Sequence, residues 1–348
     1  MSSHAHIADI AGFLPAQVLD NDELAAAFPG WPADKILDKT GIATRHIAAI
    51  DQTAGDLAFE AATRLFARGA VSAEQVDFVI LCTQAPDYIL PTTACILQHR
   101  LGIPTSAGAL DVNLGCSGYV YCLSLARGLI ETGAARCVLL LTADTYSKFI
   151  HPLDKSVRTL FGDGASATAV VAGESDQCAI GPFVFGTDGS GAQHLMVATG
   201  GARTARSIAS AEEQQDASGN VRSGDNLHMD GAEVMAFSLR EVPRAVNALL
   251  AKAETAPETI DYFVLHQANR FMLEALRKKL KIEPARFPIH LEECGNTVSS
   301  TIPLTLIAMR EQGCFNEDKR LMLVGFGVGY SWAACLITIR QTFMQGAQ

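Results

Sequence analysis

AEQVDFVILCTQAP (residues 73–86) and APETIDYFVLHQAN (256–269) decide the fold, because they are two versions of one pattern. Each opens on a short polar lead, runs into a wholly apolar strand, and ends on polar residues. The segments downstream of both also repeat. A helical stretch ends in Leu-Gly-Ile (101–103) or Leu-Lys-Ile (280–282). A Gly-containing turn, GCSG at 115–118 or GNTV at 295–298, then opens a second helix, and an apolar strand comes next at 137–143 or 320–327. Val76 lies 40 residues before Cys116, and Ile260 lies 36 before Asn296. Matching order across four elements favours an internal duplication over chance likeness.

Working outward, further strands are expected at 167–172 and 333–339, and helices at 54–69, 92–101, 117–132, 231–253, 269–280 and 301–312. Strands without polar alternation are covered on both faces. Alternating sheet and helix then give an α/β class, or a layered relative of it. The halves divide near Gly173–Gly181, with domains at 1–175 and 176–348, and a pseudo-twofold would bring Cys116, His266 and Asn296 toward one interface. Residues 200–228 are polar and Gly/Ser-rich. A stretch that long in a compact chain reads as a flap or mobile insertion.

Composition narrows the function. Of 348 residues, 49% are hydrophobic and 18% charged, against an average near 25% charged. Such a chain buries a large core and, by its low charge, a subunit interface. Lys plus Arg number 27 and Asp plus Glu 37, so the net charge is −10. An acidic chain without basic runs is a poor binder of nucleic acid or anionic membrane. No apolar run reaches the length of a membrane helix, and the N-terminus lacks the basic and apolar regions of a secretory signal. The nine cysteines include no metal-spaced CxxC pair, so no metal is expected. The expectation is a cytoplasmic protein with reduced thiols, mostly small core hydrophobes.

Three residues carry chemistry. Cys116 stands where a strand ends, Gly115 permits a sharp turn, and a helix begins. Unpaired N–H groups and the helix dipole there would favour the thiolate and lower its pKa. The same position offers the Cys116 N–H to an oxyanion. His266 ends an apolar strand, and Asn296 sits in a Gly-Asn turn. Taken singly, each has an ordinary reading: a core cysteine, a satisfied strand-end histidine, a turn residue. GFGVG (325–329) comes after a strand but lacks the spacing of a nucleotide loop.

Together with TGIATRHIA (40–48), LPTTACILQHRLGI (90–103), FGDGA (161–165), LHQAN (265–269), GNTVSSTIP (295–303) and GFGVGYSW (325–332), these residues are far more specific. The chain resembles the thiolase-superfamily condensing enzymes, and most closely the beta-ketoacyl-acyl-carrier-protein synthase III family, over nearly its whole length. The resemblance implies a duplicated, thiolase-like αβαβα five-layer fold with two mixed sheets, and a homodimer. It implies a catalytic triad of Cys116, His266 and Asn296, with oxyanion-hole amides from Cys116 and Val328. It implies acyl-coenzyme A or acyl-carrier-protein thioesters as substrates, with no permanently bound cofactor, and the acyl carrier protein as a partner. The reaction implied is acyl transfer to cysteine, then decarboxylative condensation with a malonyl thioester. Enolate charge would be stabilised by neutral His266 Nε2–H and the Asn296 amide. Two other readings stand beside it: transfer of the acyl group to a hydroxyl or amine, and a non-catalytic partner subunit.

Several positions depart from the family pattern. Where the family usually stacks adenine between a tryptophan and an arginine, this chain has Lys35 and Lys155, and a further arginine is Lys39. Lysine cannot stack as a guanidinium plane does. Trp31 lies four residues earlier. Arg270 comes directly after HQAN, and Phe271 takes the place usual for an arginine. Leu90 stands where short-chain enzymes often carry Phe, in the position that shapes the neighbouring subunit's acyl pocket; Phe161 is the other pocket residue. These departures predict a preference for medium or branched acyl groups over acetyl, and for carrier-protein over coenzyme A thioesters.

Overall fold

The computed structural model describes residues 4–173 and 180–340. Cys178 and the expected division between 175 and 176 lie outside the described residues. Two mixed sheets organise the chain. The first orders its strands His4–Phe13, Gly164–Gly173, Cys137–Asp144, Phe78–Cys82 and Gly108–Val112. The second orders them Ile180–Thr187, Ser331–Ile339, Lys319–Gly327 and Tyr262–Leu265.

The pairing is the same in both. Phe78–Cys82 runs parallel to Val138–Thr142, as Tyr262–Leu265 runs parallel to Leu321–Val324. The next strand along is antiparallel in each sheet, and so is the one after it. Gly108–Val112 is the addition, an extra parallel edge in the first sheet. The repeat in the sequence is therefore a repeat of strand pairing.

Apolar faces fix five layers. Helices Gly118–Glu131 and Thr301–Glu311 lie between the sheets, sharing a core that includes Ile80, Leu123, Leu140, Val264, Ile302 and Leu323. Helices Ala54–Ala67 and Thr93–Arg100 cover the outer face of the first sheet through Leu57, Leu65 and Leu97. Helices Gly231–Lys252 and Arg270–Leu280 cover the second through Phe237, Leu249, Leu273 and Leu276. Each fully buried Leu or Phe contributes about 1.5–3 kcal/mol. Strands buried on both faces explain the unbroken apolar runs. A buried ion pair also crosses between halves: Arg310 on the middle-layer helix reaches Asp9 at 2.6 Å.

Within the two large sheets, three strands escape a reading by apolar runs. His4–Phe13 alternates buried and half-buried residues, many of them Ala or His. Gly108–Val112 is five residues long, and Ile180–Thr187 contains Gly and Pro. Residues 200–228 are largely exposed, but they are not structureless. Leu227–Met229 pairs with Leu195–Val197, and a small hairpin pairs Gln214 with Arg222. Arg222 anchors that hairpin to buried Asp154 at 2.7 Å. Among the described residues no helix is long and apolar enough to cross a membrane.

Candidate active site

The chain leaves strand Gly108–Val112, turns at Gly115, and enters helix Gly118–Glu131 two residues after Cys116. Gly118 must be glycine, since a Cβ there would meet Cys82 Sγ at 2.2 Å. From the other half, the turn after strand Lys319–Gly327 closes over the sulfur. A Cβ at Gly327 would lie 2.8 Å from Cys116 Cβ and 2.9 Å from its Sγ. The glycines of GFGVG thus serve close backbone approach to a thiol. Beside the sulfur lie the backbone N–H of Cys116 itself and that of Val328.

The thiol pKa runs opposite to expectation. Burial pushes Cys116 up to about 12, the buried Asp144 carboxylate adds to the rise, and the two amides oppose it. Magnitudes explain the reversal. A helix terminus supplies roughly 0.3–1 kcal/mol, less than one pKa unit at about 1.36 kcal/mol each. Full desolvation shifts a group by up to about 3–5 units. Cys116 is 6% exposed, so desolvation wins.

His266 stands just beyond strand Tyr262–Leu265 and is 2% exposed. Its Nδ1 lies 2.7 Å from Thr301 Oγ1, and its ring meets Phe326 edge-on at 5.5 Å. Burial lowers its pKa to about 3, so the ring is neutral. Asn296 is buried in the turn, its N–H donating to Leu160 at 2.9 Å and its carbonyl accepting from Gly162 at 3.0 Å. Its side-chain Oδ1 accepts from Val298 N–H at 2.9 Å. That bond fixes the amide and leaves Nδ2 as the free donor. Val298 adopts φ +55°, a left-handed conformation that is an outlier for a β-branched residue.

Cys116, His266 and Asn296 line one cavity of about 70 Å³, with Phe161, Leu195, Val234 and Phe326 among its walls. A larger cavity of about 350 Å³ adjoins Leu195 and is lined by Gln84, Tyr146, Phe149, Val197, Leu227 and Val328. Tyr146, Phe161, Leu195, Leu227 and Val298 form one apolar cluster with Cys116. Asp144, at the end of its strand, was missed in the sequence, although an acid closing the run CVLLLTA is a visible signal. It is fully buried, accepts from Ser299 Oγ at 2.5 Å and Gln84 N–H at 2.8 Å, and burial raises its pKa to about 7. Thr301 was missed as well, although it lies inside the segment GNTVSSTIP (295–303).

The other expected site residues lie outside the Cys116 cavity. Leu90 is 79% exposed beside exposed Tyr88 and Ile89, and does not line the cavity of its own chain. Lys35 donates to Gly30 O at 3.0 Å and sits 4.9 Å over the Trp31 ring. Lys39 is exposed. Lys155 donates to Ser218 O in the polar segment. Arg270 pairs with Glu292 at 2.9 Å. Trp31 and Phe28 share a cleft of about 340 Å³ with Lys155, because the turn before helix Ala33–Thr40 carries Trp31 to it.

Comparison with known proteins agrees with this geometry. Residues 110–189 match the family described as 3-Oxoacyl-[acyl-carrier-protein (ACP)] synthase III, and residues 250–339 match its C-terminal region. A Beta-ketoacyl-[acyl-carrier-protein] synthase III of Caldanaerobacter subterraneus subsp. tengcongensis is 34% identical, covering 96% of this chain and 97% of that protein. A 2.1 Å crystal structure of a 3-oxoacyl-(acyl-carrier-protein) synthase III is 70% identical, with TM-score 0.96 over 97% of this chain and 100% of that one. The 3-oxoacyl-(acyl-carrier protein) synthase of Burkholderia xenovorans LB400 is 37% identical, with TM-score 0.89 over 98% and 96%.

Proposed function

This chain belongs to the 3-oxoacyl-[acyl-carrier-protein] synthase III family, and on that premise we propose which of its residues perform the chemistry. The enzyme transfers an acyl group to a cysteine and condenses it, with decarboxylation, onto a malonyl thioester. The observation that carries the assignment is the single cavity lined by Cys116, His266 and Asn296, closed by the turn that brings Val328 over the sulfur.

In loading, the Cys116 sulfur attacks the acyl carbon, and the N–H groups of Cys116 and Val328 hold the tetrahedral oxyanion. The donor C–S bond breaks, and the departing thiolate leaves with the proton that Cys116 gives up. Because burial disfavours the free thiolate, deprotonation is coupled to substrate arrival, whose carbonyl brings the two amides into use. In the second step the bond from the malonyl methylene to its carboxylate breaks and CO₂ departs. The electron pair becomes an enolate whose oxygen accepts from His266 Nε2–H and Asn296 Nδ2. The enolate carbon attacks the acyl carbon, the bond to Cys116 Sγ breaks, the sulfur takes up a proton from solvent, and the β-ketoacyl thioester leaves. A ring kept neutral by burial suits a donor of this kind. Transfer to a hydroxyl or amine is not favoured, since it would leave the paired donors without a task.

The acyl chain lies against Phe161 and extends toward the cavity walled by Tyr146, Phe149 and Leu227, room that favours medium or branched groups over acetyl. The donor's nucleotide end lies in the cleft of Trp31, Phe28 and Lys155. Stacking on Trp31 is worth about 1–3 kcal/mol, so coenzyme A thioesters remain competent beside carrier-protein ones. Lys35, Lys39 and Arg270 flank this approach as cations, and exposed Lys278 and Lys279 in the last turn of helix Arg270–Leu280 extend them toward a carrier protein. The working unit is a homodimer, with exposed Tyr88, Ile89 and Leu90 covered by the second copy. Intact mass after acetyl-, octanoyl- and branched-acyl thioesters, each in coenzyme A and carrier form, tests the donor reading. Octanoyl or branched adducts should form faster than acetyl; a clear acetyl preference overturns it.

A further inference from the structure

We propose that Thr301 holds the proton of His266 on Nε2, and so acts as a positioning residue for decarboxylation; this rests on the donor role proposed for His266. A neutral imidazole carries one proton, and its place is set by the partner of the other nitrogen. That partner is a hydroxyl. His266 Nδ1 lies 2.7 Å from Thr301 Oγ1, with both residues buried. Thr301 Oγ1 has a single proton and two acceptors in reach, Nδ1 at 2.7 Å and Val298 O at 3.2 Å. Hydroxyl donors favour about 2.7–2.8 Å, and 3.2 Å lies beyond their usual range. We place the proton on the shorter contact, toward Nδ1, which makes Nδ1 the bare nitrogen; the opposite arrangement, Nδ1–H donating to Oγ1 and Oγ1–H to Val298 O, is the alternative that the tautomer measurement separates. Nε2 carries the hydrogen, the form an enolate oxygen needs.

Local backbone makes this possible. Val298 at φ +55° starts the short 3-10 turn Val298–Ser300, which sets Thr301 at the head of its helix and beneath the ring. The same Val298 N–H fixes the Asn296 amide. One strained residue thus orients both donors: Asn296 directly, His266 through Thr301. No carboxylate contributes to the shift of His266, so the tautomer is governed by a neutral hydroxyl and the ring stays uncharged.

The test uses the full-length enzyme and two variants. Thr301→Val keeps the shape and removes the hydroxyl; Thr301→Ser keeps the hydroxyl. Acyl loading from octanoyl-coenzyme A is read by intact mass, CO₂ release from a malonyl thioester by trapping, and the His266 tautomer by the ¹⁵N spectrum of labelled enzyme. The wild-type spectrum should place the proton on Nε2. Thr301→Val should mix the tautomers and slow CO₂ release about ten- to a hundredfold, by analogy with the cost of losing the hydrogen-bond partner of a metal-bound imidazole, while loading changes less than about threefold. Thr301→Ser should restore both spectrum and rate. Wild-type enzyme with the proton on Nδ1 overturns the inference, and that measurement stands even if the Val variant fails to fold. So does a Val variant whose CO₂ release is unchanged, or whose loading falls equally. If His266→Ala spares CO₂ release, the donor role itself fails, whatever the tautomer.

Discussion

The two halves carry the same turn and use it differently. In the first half, GCSG runs straight into its helix, and Gly118 lets that helix pack against Cys82. In the second, GNTV meets Val298 at φ +55°, and a 3-10 turn intervenes before helix Thr301–Glu311. The first arrangement presents a side-chain nucleophile with backbone amides around it. The second presents side-chain donors, Asn296 and, through Thr301, His266. The strands before the turns diverge too. Phe78–Cys82 gives way to Thr83, whose hydroxyl accepts from Ala85 N–H at 3.0 Å. Tyr262–Leu265 gives way to His266. On the proposed roles, the first half supplies the nucleophile and one oxyanion amide, and the second supplies the Val328 amide and both side-chain donors.

That division can be broken by experiment. The largest effect belongs to the first half. Cys116→Ala should abolish the acyl adduct by intact mass and lower condensation about 10³-fold or more; an adduct of full occupancy on the variant, for example at buried Cys122, would end the assignment. Next come the donors. His266→Ala and Asn296→Ala should each lower CO₂ release about 10²–10³-fold with loading largely kept, because enolate charge develops only in the second step. Equal loss of both steps would erase the separation.

Gly327→Ala sharpens the comparison from the interface between halves. The new Cβ would sit 2.9 Å from Cys116 Sγ, so the turn must shift. Loading should fall about 10²-fold, the cost of a misplacement near 1 Å, and thermal unfolding should register about 1–3 kcal/mol of overpacking. A variant with normal loading would show that the turn does not position the oxyanion amides.

The smallest effect concerns Asp144. Its pKa is raised from the ordinary carboxylate value to about 7, so its stabilising effect is complete below about pH 4 and is lost as pH rises through 7. His266 works the other way: with its pKa lowered to about 3, its contribution is present above about 6.5 and is lost as pH falls toward 3. Asp144→Asn removes the first dependence alone. Stability should then lose its decline between about pH 4 and 7, keeping the acid-side loss. The Cys116 pKa should also fall, since the Asp144 charge helps to raise it, read as the pH dependence of iodoacetamide labelling. An unchanged labelling profile would remove Asp144 from the electrostatics of the thiol.

The fold is most legible in the sequence where local chemistry and long-range structure agree. Six apolar runs became strands within a few residues of their expected bounds, for instance 137–143 against Cys137–Asp144, because a strand buried on both faces has no polar alternative. Helices with clear boundaries held as well, as in 301–312 against Thr301–Glu311. Edge strands were missed where Gly, Pro or short length weakened the local pattern. The proposed triad residues were legible only as a set and through the family resemblance, since each alone has an ordinary structural use.

What the chain showed by itself is the repeat, the alternating α/β pattern and Cys116, His266 and Asn296 as candidates, because periodicity, turn chemistry and side-chain type are local properties; the layer order and the triad came from the family resemblance. Tertiary structure decided the rest. It reversed the expected shift of the Cys116 thiol, since desolvation depends on what covers the sulfur and not on the helix beneath it. It carried Trp31 to Lys155 across 124 positions of chain. It set Thr301 against a histidine 35 residues away, a contact that no spacing rule encodes, because two buried polar atoms find each other only once the layers between them have packed.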